Sequence, residues 1–147
     1  MTKPTSEDLS YLAGIIDGEG TFNIYRKQVR DRWKYTARIY VVNTDKRLID
    51  WLQETFGGLV YARTHSQWKT RYEWIIEGTA TDALLSSIHS RLIIKRDQCR
   101  VVQDFRATMR NRRPITESDY QLRSSLYDLL RQLNARNTPL PRVAIDA

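Results

Sequence analysis

A chain of 147 residues with 41% hydrophobic and 28% charged content has room for one domain, which buries roughly two-thirds of its unfolded surface. A single cysteine, Cys99, excludes an internal disulfide, and the absence of a CxxC pair or Cys/His cluster excludes a zinc finger. No apolar run approaches the ~20 residues that span a bilayer, and residues 1–8 lack the apolar core of a signal peptide, so a soluble intracellular chain without membrane association is expected. Twenty-four Lys and Arg against seventeen Asp and Glu leave a net charge of +7, and 10% aromatic content argues for a folded domain whose partner is a polyanion.

The first helix is predicted to start at Thr5 or Ser6, where a hydroxyl cap precedes the acids Glu7 and Asp8. It runs through Leu9, Leu12, Ala13 and Ile16 and ends at the glycines Gly18 and Gly20. From Thr21 the period switches to two. Phe22 and Ile24 alternate with Asn23, Tyr25 and Lys27, a turn falls around Arg30 and Asp31, and Ala37, Ile39 and Val41 then alternate with Arg38, Tyr40 and Val42. Thr44 and Asp45 cap a second helix carrying Leu48, Ile49, Leu52 and Phe56, stopped by Gly57 and Gly58. A second hairpin is predicted over 59–65 and 70–77, with Val60, Tyr72, Trp74 and Ile76 inward and Tyr61, Arg63, His65, Arg71, Glu73 and Ile75 outward. Helical stretches follow at about 80–91, 95–111 and 116–133, the last bearing Leu122, Leu126, Leu129, Leu130 and Leu133; the tail after Asn134 carries no signal.

The order αββαββα with further helix defines an α+β domain in which helices cover one face of an antiparallel sheet. One domain over 1–147 is expected, with a core at about 5–110 and a helical extension at about 115–135. The uncovered sheet face gathers Asn23, Tyr25, Lys27, Lys34, Arg38, Tyr40, Arg63, His65, Lys69 and Arg71, with Glu73 the lone acid. Cations interleaved with hydrogen-bonding aromatics at strand spacing point to a nucleic-acid surface.

The segment from Leu12 to Gly20 is unusual for a helix. Gly14 and Gly18 share one face, each at a cost of ~1 kcal/mol relative to alanine. Together with Ala13 they permit close approach of a second helix, and the contact is expected to run over Leu12, Ala13, Gly14, Asp17 and Gly18. Asp17 and Glu19 sit at the negative end of the helix dipole, which calls for a nearby cation. Two copies packed through the glycine face would bring both Glu19 carboxylates together beneath the basic sheets. Hard oxygen ligands beside a DNA backbone suit a Mg²⁺ site for phosphodiester hydrolysis.

In the Leu12–Gly20 motif, the αββαββα order, the Trp74-Ile75-Ile76-Glu77-Gly78 strand end and the Leu92-Ile93-Ile94-Lys95 segment, the chain resembles the LAGLIDADG homing endonucleases over roughly 5–110. One motif copy resembles the homodimeric branch. The resemblance implies a metal-dependent endonuclease that cuts double-stranded DNA at a long near-palindromic site, with no small-molecule substrate. It implies Mg²⁺ as cofactor, with Mn²⁺ or Ca²⁺ able to occupy the same site. By the same resemblance Glu19, where aspartate is commoner, is the metal-bridging carboxylate and Gly18 lends a backbone carbonyl. Asn43 stands where a glutamine often arranges water near the scissile phosphate, and Lys95 matches a peripheral lysine that supports the water network and phosphate charge.

Each residue also has a structural alternative: Asp17 pairing with a cation, Asn43 serving as a turn or cap, and the last helix serving as core or packing arm. His65 reads as a base or phosphate contact, and the choice between Lys46 and Arg47 as an auxiliary cation stays open. Two other functions fit the same fold, an intron maturase that binds structured RNA and a DNA-binding protein without cleavage.

Overall fold

The computed structural model describes residues 3–109 and 114–136; the predicted helix end at Asn111 and nearly all of the tail after Asn134 lie outside them. The elements follow the expected order: α1 (Ser6–Glu19), β1 (Gly20–Val29), β2 (Arg32–Asn43), α2 (Lys46–Phe56), β3 (Leu59–His65), β4 (Trp68–Glu77), α3 (Thr81–Ile88), α4 (Arg96–Ala107) and α5 (Glu117–Arg136). Local chemistry sets the helix starts. Thr5 Oγ1 accepts from the Asp8 amide (3.1 Å) while Asp8 Oδ2 accepts from the Thr5 amide (2.9 Å), a reciprocal capping box. Thr116 and Asp119 repeat it ahead of α5. At α2 the cap is Asp45 alone, accepting from the Arg47 amide at 3.0 Å.

The four strands form one antiparallel sheet in the order β1-β2-β4-β3. Its register aligns the inward side chains: Phe22 with Ile39, Ile24 with Ala37, and Val41 and Val60 with Trp74. Trp74, Phe22, Ile24 and Ile39 are fully enclosed with Leu12 and Ile16 of α1, Ile49 and Leu52 of α2, Leu85 and Ile88 of α3 and Phe105 of α4. Each such side chain stabilises the fold by roughly 1.5–3 kcal/mol. The Trp74 indole also donates to the Gly57 carbonyl (2.7 Å), tying the turn after α2 to the core. Gly57 and Gly58 adopt φ of 75° and 97°, a region open chiefly to glycine.

Two helices differ from expectation. The stretch over 80–91 contains a shorter helix, α3, flanked by 3₁₀ turns at Gly78–Ala80 and His89–Arg91. The helix expected to reach Asn111 ends at Ala107, where the Thr108 amide and hydroxyl both turn onto the Phe105 carbonyl and Arg123 of α5 donates to Thr108 Oγ1 and O, each at 3.0 Å. α5 is a packing arm integral to the core. Leu126 and Leu130 are buried, Tyr35 packs among Phe105, Tyr120 and Tyr127, and Asn134 donates to the Phe22 carbonyl at 3.0 Å.

The corner between α1 and β1 is tight. A Cβ on Gly20 would lie 2.6 Å from Ile16 Cα, so Gly20→Ala is expected to destabilise the chain by about 1–3 kcal/mol in urea unfolding. A variant with the wild-type midpoint would show that the corner has slack.

Candidate active site and nucleic-acid interface

The dipole conflict at the end of α1 is resolved from across the fold. Asp17 accepts from the backbone N–H groups of Ile93 (2.8 Å), Ile94 (3.2 Å) and Lys95 (3.0 Å), the residues that lead into α4. The carboxylate therefore serves the N-terminal end of another helix, where negative charge is favoured; among the described residues it forms no salt bridge with a cation side chain. In return the Lys95 ammonium donates to the carbonyls of Ile16 (3.0 Å) and Gly20, supplying the positive charge that the last turn of α1 lacks. Burial pushes the Lys95 ammonium below the usual lysine range, and the Asp17 charge opposes that shift.

This clasp leaves Glu19 at the rim, exposed, with one hydrogen-bond partner among the described residues: Asn43 Nδ2 donates to Glu19 Oε2 at 2.7 Å. Asn43 is itself fixed, because its Oδ1 accepts from the Asp45 amide at 2.7 Å. The amide at the end of β2 is thus both a turn residue and the orienting group for Glu19. Asp45 is held to about pKa 2 by its hydrogen bonds from Arg47. Lys46 is turned away onto Asp50, leaving Arg47 as the cation of this pair that shares a groove with Glu19. Among the described residues no group of three or more His, Cys, Asp or Glu side chains could hold a metal ion. A cation here can draw on Glu19 Oε1, which accepts no hydrogen bond among the described residues, and on the Gly18 carbonyl; a hard divalent cation takes about six or more oxygens, so the site is incomplete within one chain.

The groove, of about 1110 Å³, runs along the outer face of α1 past Gly14, Gly18 and Glu19 and is walled by Trp51 and Tyr11, whose rings meet edge to face at 5.0 Å. Among the described residues no atom beyond the surrounding helix backbone lies within 4 Å of a Cβ placed on Gly14 or Gly18, so packing among those residues does not require either glycine. The expected contact face needs correcting on three residues. Leu12 and Ala13 are 0% and 1% exposed in the chain's own core, and the Asp17 carboxylate is engaged with the segment before α4. The face open to another helix is that of Tyr11, Gly14, Ile15 and Gly18.

On the uncovered side of the sheet, the register places Asn23, Tyr25, Lys27, Lys34, Arg38, Tyr40, Arg63, Arg71 and Glu73 as alternation requires. Between the pairs Arg63–Arg71 and His65–Trp68 the register shifts by one residue on the β4 side, so His65 keeps the face of Arg63 at the end of β3 while Lys69 falls out of the alternation; both are exposed beside Trp68 near the hairpin tip. Glu73 is not the lone acid: Glu77 stands opposite Arg38 and binds its Nη2 at 2.7 Å. The middle of the face is less polar than expected, with Tyr40 and Leu59 flanking Ile75, which is 5% exposed yet outside the helix-side core. Cations concentrate toward the hairpin ends, where Lys27 lies directly opposite Lys34 and Arg63 opposite Arg71. Such like-charge pairs are unfavourable, and among the described residues only Arg63 of these four has an acid within salt-bridge distance, Glu73 at 3.6 Å.

No protein-family model and no curated protein matches the chain. Solved structures do. It superposes on the homing endonuclease I-CvuI in complex with its target (TM-score 0.75, 19% identity, 94% of this chain and 87% of that chain). It also superposes on the archaeal intron-encoded homing endonuclease I-Vdi141I complexed with DNA (TM-score 0.75, 16% identity, 95% and 89%). A third match is the LAGLIDADG homing endonuclease I-SmaMI bound to cleaved DNA, with TM-score 0.68, 19% identity and coverage of 99% of this chain but 54% of that one. The protein has the LAGLIDADG homing endonuclease fold, as the motif and element order lead one to expect.

Replacing the Asp17 carboxylate removes three backbone acceptor contacts at once. Asp17→Ala is expected to lower stability by about 1.5–3 kcal/mol, the range for hydrogen bonds to a charged group, and Asp17→Asn by less. Unfolding of Asp17→Ala at the wild-type urea midpoint would mean that the clasp contributes nothing.

Proposed function

We propose that this protein is a metal-dependent, site-specific endonuclease that cuts double-stranded DNA as a homodimer. The observation that carries the proposal is the pairing of half a metal site with an open groove: Glu19 stands on the rim of the α1 face that exposes Gly14 and Gly18. A second copy seated on that face, related by a two-fold axis, would supply the other carboxylate. The coverage of only 54% of I-SmaMI is consistent with one chain being half of a working unit. Support for DNA as the partner comes from the opposed cations at the hairpin ends, whose repulsion phosphates relieve, and from the DNA present in the matched structures.

The donor set fits a hard divalent cation such as Mg²⁺, which when bound stabilises the attacking and leaving oxygens of a phosphodiester. Glu19 and the Gly18 carbonyl would hold it. Asn43 keeps the Glu19 carboxylate from rotating, so one oxygen stays aimed outward. Lys95 offsets the negative end of α1, where two acidic residues and a phosphate must come together. Lys27, Lys34, Arg63 and Arg71 grip the backbone on either side of the cut.

Glu19→Gln retains the shape of the side chain but removes a ligating charge. It is expected to reduce Mg²⁺-dependent cleavage of a selected target by at least about 100-fold, while affinity for that target changes by less than about twofold. Wild-type cleavage by this variant would refute the metal assignment. Wild-type protein that binds DNA without cutting would favour a non-cleaving DNA-binding role, and preference for structured RNA would favour a maturase. Gly14→Leu should fill the groove, leaving a folded monomer in light scattering that no longer cuts; a dimer of normal activity would contradict packing through α1.

A further inference from the structure

We propose that Arg38 and Glu77 act as one recognition unit that reads a single G·C base pair, a proposal that rests on the sheet contacting DNA as described above. The two residues are register partners on β2 and β4, the central strands, with Asn23 of β1 completing the row. Arg38 Nη2 contacts Glu77 Oε1 at 2.7 Å, and its guanidinium lies 5.0 Å from the centre of the Tyr25 ring. The Arg38 Nε is buried without a hydrogen-bond partner, although the side chain as a whole is 25% exposed and that of Glu77 40% exposed. The guanidinium is thus held on two sides, with Nη1 of Arg38 and Oε2 of Glu77 making no hydrogen bond among the described residues.

Fixing a long side chain before binding reduces the ordering cost that recognition otherwise carries. An adjacent donor and acceptor match one base pair in particular. In the major groove guanine presents two acceptors, N7 and O6, and its partner cytosine presents the N4 donor. Arg38 would donate to the guanine edge while Glu77 accepts from cytosine N4. An A·T pair in the same orientation would set the carboxylate near a thymine O4 acceptor, which repels it. The Arg63–Glu73 pair on this face is looser, since Arg63 is 80% exposed and 3.6 Å from Glu73 and has no cation–π partner among the described residues. Glu77 is therefore a specificity-determining residue, and more than a fastener between strands.

The test is selection of bound duplexes from a randomised DNA library by wild type, Arg38→Ala, Glu77→Ala and the double variant. Circular dichroism and thermal melting establish that each is folded. The expected result is that wild type enriches G·C at one position in each half-site. Glu77→Ala and Arg38→Ala should each weaken discrimination at that same position by about tenfold, within the range of one good bidentate contact. The double variant should lose no more than either single one, and other positions should keep their preferences. Discrimination within twofold of wild type in Glu77→Ala, or a loss spread evenly over all positions, would overturn the recognition unit. Failure of wild type to enrich any sequence would overturn the DNA-reading sheet itself, and this proposal with it.

Discussion

Three backbone N–H groups converge on the Asp17 carboxylate, and the lysine that supplies the third returns its ammonium to the carbonyls at the end of α1. This reciprocal clasp joins two helix ends whose uncompensated polar groups would each be costly. It also determines where Glu19 goes. With the last turn of α1 pinned and Gly20 pressed against Ile16, the chain turns sharply into β1, so the residue between them projects from the rim with little freedom. Asn43, arriving from the far end of β2, removes the rest of that freedom.

The clasp and the sheet are coupled by sequence adjacency. The strand that begins at Gly20 carries Asn23, Tyr25 and Lys27 on its open face, and the strand that ends at Asn43 carries Lys34, Arg38 and Tyr40. Whatever lies along that face is therefore held in fixed register with Glu19. On the proposed function, this is how recognition of bases at a distance selects which phosphate is cut. α5 contributes indirectly, packing Tyr120 and Tyr127 against Tyr35 and holding Arg26 between Trp33 and Tyr127, which stiffens the hairpin from the side opposite the open face.

The periodicities of two and 3.6 made the strands, the helices and most of the open face legible, because inward and outward positions differ so sharply in polarity there. The helix stop at Ala107 was not legible, since it depends on Arg123 contacting Thr108 from another helix. Nor was the register shift in β4 that displaces Lys69, because one extra residue leaves no local mark in this composition. Leu12 and Ala13 belonged to the motif but face the core; the 3.6 period alone separates them from Gly14 and Gly18, and grouping the motif as a unit obscured that. Asp17 called for a compensating positive group, yet the answer was three amides and a lysine roughly eighty positions away in sequence, invisible to any local pattern. Glu77 was overlooked because it ends its strand, where alternation is least informative.

The central claim is that two copies of Glu19 meet around a divalent cation at the ends of paired α1 helices. Mn²⁺ broadens NMR signals from nearby amides, so titrating it into the ¹⁵N-labelled protein bound to a selected DNA duplex locates the site directly. The account predicts selective broadening of Gly18, Glu19, Gly20 and Asn43, abolished by Glu19→Gln while the complex stays intact. Broadening centred elsewhere, or unchanged in Glu19→Gln, would contradict it.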